Sequence, residues 1–188
     1  MNFDNPLITH PSNYKKLLSY QKAEAIYDIT YYFCHKYLAR NDRTVDQMIQ
    51  AARSGKQNIV EGSAASTTSK ETEIKLINVA KASLHELLID YEDYLRTRNF
   101  RQWEFESVEM NAMRKISRAH NDSEFYMHLI SSRPPQTIAN ISLVLIKQTD
   151  YLLFKQLESL CKQFVEQGGI RERMFQARKE YREKQQGH

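Results

Sequence analysis

The 188-residue chain is 41% hydrophobic and 27% charged, a globular balance that excludes a disordered chain and allows one domain with a real core. Five glycines and four prolines suit long helices and argue against a many-turned β fold. A formal charge of +4 and an isoelectric point near 9.0 permit a polyanionic partner without requiring one. Cys34 and Cys161 are too few and too far apart for a disulfide framework or a zinc site, which implies a reducing, cytoplasmic setting. No apolar run reaches transmembrane length, and the start Met1-Asn2-Phe3-Asp4 lacks the regions of a signal peptide, so a soluble internal protein is expected.

Residues 1–12, with Pro6 and Pro11, read as an extended arm. A first helix is predicted from a cap at Ser12 or Asn13 to about Ala39, with Leu18, Ala25, Ile26, Ile29, Phe33 and Tyr37 on one face. Tyr20, Tyr27, Tyr31 and Tyr32 lie beyond that stripe. Packing against neighbouring helices is favoured for them over base stacking, because aromatics dominate cores. Asn41-Asp42-Arg43 is a turn, and Thr44 with Gln47 has capping-box spacing. Val45, Met48, Ile49, Ala52 and Ile59 then form the inner face of a second helix, which Gly62 is expected to end. Thr68 and Glu71 repeat the capping-box spacing. The third helix carries Ile74, Ile77, Ala80, Leu84, Leu87, Leu88, Tyr91 and Leu95 on one face and ends near Thr97-Arg98-Asn99. So short a connection makes the second and third helices an antiparallel hairpin.

From 100 to 133 the pattern weakens into two shorter pieces, Glu106 to Ala119 and Ser123 to Ile130. Trp103, Phe105, Val108, Met110, Met113 and Ile116 are expected to cover an end or flank. Pro134-Pro135 opens a long fourth helix, as prolines do in a first turn. Its segments Ile141 to Ile146 and Tyr151 to Phe154 are apolar nearly all round, so either the insert or another subunit must cover a second face. Gly168-Gly169 stops this helix. Ile170 to Gln186 reads as a separate, highly charged helix that Ile170, Met174, Phe175 and Tyr181 could tether. The predicted architecture is all-α: an arm (1–12), an antiparallel up-down four-helix bundle (13–167) with a helical insert (100–133), and a basic helical suffix (168–188).

Asn58-Ile59-Val60-Glu61-Gly62, followed by Ala80 and Ser83-Leu84-His85-Glu86-Leu87, resembles the signature of a four-helix bundle protein family. That family includes the 23S rRNA intervening-sequence proteins and the accessory variability determinants of diversity-generating retroelements. Leu18-Ser19-Tyr20-Gln21-Lys22-Ala23 is similar to its first-helix motif, and the tail from Gly168 resembles the suffix of one branch. The resemblance implies a ring-like homo-oligomer, with a pentamer favoured. It also implies a non-catalytic accessory or scaffold role, with structured RNA and a reverse transcriptase as partners. The alternative is a protein-binding oligomeric scaffold without nucleic-acid activity, its tail helix docking a partner. The resemblance singles out Asn58, Glu61 and Glu86, read here as hydrogen-bonding groups that fix helix register.

Residues for catalysis are scarce. A di-iron bundle needs paired Glu-x-x-His turns, and none occurs; Glu124 and His128 stand alone, and His85 adjoins Glu86. There is no P-loop and no G-x-S-x-G, and Cys34 and His35, as helix neighbours, point about 100° apart. Neither an enzyme nor a metal or other cofactor is expected. The expected phosphate contacts are Arg53, Lys56, Lys70, Lys75 and Lys81 on the hairpin and Arg171, Arg173, Arg178 and Lys179 on the suffix. Lys56 falls among Val45, Ile49, Ala52 and Ile59 on the apolar face. It should snorkel or meet a carboxylate, with phosphate binding inside an assembled channel as the lesser reading.

Overall fold

The computed structural model describes residues 13–186, which are helical apart from short connections, with no strand among them. The predicted arm lies outside the described residues. After a single 3-10 turn (Tyr14–Lys16) come α1 (Leu18–Tyr37), α2 (Arg43–Ala65) and α3 (Lys70–Thr97). They are followed by α4 (Val108–Ala119), α5 (Ser123–Ile130), α6 (Pro135–Gln167) and α7 (Ile170–Gln186). No helix among the described residues is long and apolar enough to cross a membrane.

The four longest helices, α1, α2, α3 and α6, close a circuit: α1 packs on α2 and α6, and α3 packs on the same two. Contacts along each pair run in opposite directions. Ser54 meets Ser83 while Gly62 meets Ile77, and Ser19 meets Gln156 while Tyr37 meets the carbonyl of Arg133. The interior is apolar, with Phe33 at ring-centroid distances of 5.2 Å from Tyr91 and 4.8 Å from Tyr94. A polar chain inside it is satisfied: Tyr91 donates to Thr30 Oγ1 at 3.0 Å, and Thr30 donates to the Ile26 carbonyl at 2.7 Å.

Gly62 does not end α2, which continues to Ala65; it lies where α2 crosses α3, and a Cβ there would stand 3.3 Å from Ile77 Cδ1. Gly55 is tighter still, at 2.8 Å from the Leu84 side chain, so both glycines serve close helix approach. Three predicted caps shift by one or more residues. Asp42, not Thr44, caps α2 by accepting from the Thr44 N–H, and Ser69, not Thr68, caps α3 by accepting from that of Thr72. Asn13 precedes only the 3-10 turn, and α1 starts after Leu17 with no side-chain cap. Asn99, at φ 55°, ends α3 in the left-handed region, with Phe100 N–H returning to the Leu95 carbonyl.

The second face of α6 is covered from within the chain over its first half. Every residue from Ile138 to Ile146 is buried. Asn140 Oδ1 accepts from the Trp103 N–H, and its amide donates to the Arg101 carbonyl, which pins the segment after α3 across α6. Met110 and Met113 of α4 are buried, but Phe105 and Val108 stay exposed, outside the core. Further along α6, Tyr151 and Phe154 are also exposed. Gly168, at φ 70°, ends α6, and Glu172 caps α7 by accepting from the Gly169 N–H. Met174, Phe175 and Tyr181 on α7 are exposed, so none of these predicted tethers holds the helix down.

Candidate nucleic-acid interface

The outward face of α1 is set by helix periodicity. Ile26, Ile29 and Phe33 turn inward, which leaves Tyr27, Tyr31 and His35, spaced by four, in one row on the opposite side. Tyr27 and Tyr31 lie 6.4 Å apart between centroids, and Tyr31 and His35 lie 4.2 Å apart at 33°. Tyr31 is 50% exposed, so its ring rests on His35 and opens to solvent rather than packing in the core. Tyr20, by contrast, is buried, and Tyr27 and Tyr32 are half-buried.

Cations border this row. Lys36 donates to the Tyr32 hydroxyl at 2.5 Å and sits 4.9 Å from the Tyr32 ring. Hydrogen bonding to Tyr32 and Tyr37 holds its ammonium above the ordinary lysine value, so it is charged at neutral pH. From α2, the Lys56 ammonium lies 4.2 Å above the Tyr27 ring, a cation–π contact that resolves how a lysine occupies the inner face of that helix. Neither lysine forms an ion pair with a carboxylate among the described residues. Asp28 lines the same groove, and its carboxylate accepts from the Ser123 hydroxyl at one edge.

The remaining predicted phosphate contacts are dispersed. Lys70 is paired with Glu73 at 3.0 Å, and Lys81 is paired with Asp150 on α6 at 2.5 Å, facing away from the α1 side that Lys56 serves. Lys179 is within 3.9 Å of Glu183. Arg53, Lys75 and Arg178 are exposed. Arg171 and Arg173 fall on α7, and their side chains lie outside the described residues. Among the three polar positions, Asn58 donates to the Ser54 carbonyl at 2.9 Å, next to the Ser54–Ser83 bond that joins α2 and α3. Glu61 and Glu86 are exposed and make no hydrogen bond among the described residues. Glu86 instead borders a cleft with Asp46 and Asp90, where burial, then Asp93 and Glu86, hold the Asp90 carboxyl above its ordinary range. That cleft repels phosphate.

The sequence disfavours base stacking for Tyr27 and Tyr31 and singles out neither His35 as the next member of their row nor Lys22, although a spacing signal exists for both. The Tyr27, Tyr31, His35 row follows from its i, i+4, i+8 spacing opposite the apolar stripe. Lys22 stands at i, i+3, i+4 and i+7 with Ala25, Ile26 and Ile29, and is only 4% exposed. No family model, curated protein or solved structure matches the chain.

Proposed function

We propose that this protein is a non-catalytic nucleic-acid-binding accessory protein, an antiparallel four-helix bundle of α1, α2, α3 and α6 that carries α4 and α5 as an insert and α7 as a suffix. The observation that carries the reading is the exposed Tyr31–His35 row of α1 between Lys36 and Lys56. Rings of this kind stack on unpaired bases at about 1–3 kcal/mol per base, and flanking ammonium groups neutralise the backbone. Unpaired loop nucleotides of a structured RNA suit such a face better than a duplex, whose bases are already stacked.

One protomer offers few cations, so assembly into a homo-oligomer, with a pentamer favoured, multiplies the contacts. The exposed Tyr151, Phe154 and Val165 of α6 are the surfaces available for self-association. A reverse transcriptase is the protein partner that the family resemblance suggests. The second reading, a protein-binding scaffold without nucleic-acid activity, is favoured by the exposed Met174, Phe175 and Tyr181 of α7. Titration of a labelled RNA hairpin against a blunt duplex of the same stem separates the two. The first reading expects the hairpin loop to be preferred and affinity to fall with salt. Equal or undetectable binding of both at low salt selects the scaffold.

A further inference from the structure

Between α1, α4 and α6 lies a cavity of about 530 Å³, within the roughly 300–1,000 Å³ typical of small-molecule sites. Its apolar wall includes Leu18, Val144, Tyr151 and Leu152, of which Leu18 and Tyr151 are 49% and 59% exposed. Its polar lining contains four cations, Lys22, Arg114, Arg118 and Lys147, and no carboxylate. Two of these are occupied in part. Arg114 donates to the Phe105 carbonyl at 3.1 Å, and Lys147 stands 3.6 Å from Glu92. Arg118 is exposed and has no hydrogen bond or ion pair among the described residues.

Lys22 is the unusual member. Its ammonium donates to the Ser117 carbonyl at the end of α4, and more weakly to that of His120 at 3.4 Å, yet no carboxylate balances it. A buried cation is ordinarily matched by an anion. Beside it, Gln148 Oε1 is buried with no hydrogen-bond partner. A native fold leaves few such atoms, and each asks for a donor.

We propose that this cavity binds a small amphipathic anion. Its carboxylate or phosphate meets Lys22, Arg118 and Lys147, its apolar body lies against Leu18, Val144 and Leu152, and an N–H or O–H on it donates to Gln148. The excess of cations, with Lys22 unmatched among them, and the unpaired Gln148 oxygen are two separate deficits that one ligand of this class fills. The site stands apart from the α1 face proposed for nucleic acid and does not depend on it.

Anilinonaphthalene sulfonate, which carries an anion, fused rings and one N–H, is a direct probe by fluorescence titration. Its unsulfonated parent, N-phenylnaphthylamine, has the same rings and N–H without the charge. The sulfonate should saturate at one site per chain and bind at least about tenfold tighter than the parent, since it adds charge-assisted hydrogen bonds that the parent cannot make. Lys147→Gln and Arg118→Gln, both on the surface, should weaken the sulfonate and leave the parent unchanged, whereas Gln148→Leu should weaken both. Decanoate and decyl phosphate should displace the sulfonate and decanol should not, the better of the two anions naming the head group. Equal binding of sulfonate and parent, or indifference to both surface substitutions, or displacement by decanol alone, overturns the proposal.

Discussion

Replacing Lys22 with methionine tests the energetics of the buried ammonium through pH. Burial pushes the Lys22 pKa down to about 8 from the ordinary 10.5. Below pH 8 both folded and unfolded chains carry the proton, and the full penalty for burying the charge is present. Between about 8 and 10.5 the unfolded chain keeps a proton that the folded chain has released, so unfolding takes up a proton and stability from this residue rises with pH. At 1.36 kcal/mol per pH unit the whole interval amounts to roughly 3 kcal/mol, which solvent screening reduces to about 1–2. Other groups act in the opposite sense. Burial pushes the Cys34 thiol up to about 12, and it raises the Tyr91 and Tyr126 phenols too. Each of these lowers stability once the unfolded group ionises. They are common to both proteins, so the quantity to measure is the difference in urea unfolding free energy between wild type and Lys22→Met. The constant part of that difference also contains the Ser117 carbonyl left without its donor, whereas the His120 carbonyl keeps the Tyr126 hydroxyl; that part is not diagnostic. Its slope is. Wild type should gain on the variant by about 1–2 kcal/mol between pH 7.5 and 10. Parallel curves would refute the depressed lysine.

Gly55→Ala should lower the urea midpoint. The new methyl stands 2.8 Å from the fully buried Leu84, and overpacking of about 1–3 kcal/mol outweighs the roughly 1 kcal/mol gained in helix propensity. An unchanged midpoint would mean that Leu84 moves aside freely. Asn140→Ala leaves the Trp103 N–H and the Arg101 carbonyl unpaired, so it should destabilise by about 1–3 kcal/mol and speed amide exchange at Trp103 more than within α6. Removing Gly169 to His188 should leave the melting temperature within about 2 °C, because Met174, Phe175 and Tyr181 are exposed on α7; a larger fall would show that the suffix holds the core together.

The helices were legible because their signals are local. Of the predicted stripe on α3, Ile77, Ala80, Leu84, Leu87, Tyr91 and Leu95 are buried as the period requires, while Ile74 and Leu88 at its edges are half-buried; Pro135 and Gly168 bound α6 where their chemistry predicts. Caps were less legible, since Asp42, Thr44, Thr68 and Ser69 all suit the role and only the observed bond selects among them. Gly62 misled for a tertiary reason: it answers to Ile77 on another helix, not to its own helix end. The same limit applies to the candidate site. A list of basic residues does not show that Lys70 and Lys81 are spent on Glu73 and Asp150, or that Lys56 meets Tyr27. Asn140 and Lys22 gain their roles from segments 37 and 95 residues away in the chain, which no periodicity reports.

Salt titrations of a labelled RNA hairpin with wild type, Tyr31→Ala and Lys36→Gln address the α1 face most directly. Tyr31 supplies stacking and no charge, so Tyr31→Ala should weaken binding about 5- to 150-fold at every salt concentration and leave the log–log slope unchanged. Lys36 supplies a phosphate contact, so Lys36→Gln should make the slope shallower by about 0.7. If both variants bind as wild type does, or if wild type shows no binding at low salt, the α1 face is not a nucleic-acid interface.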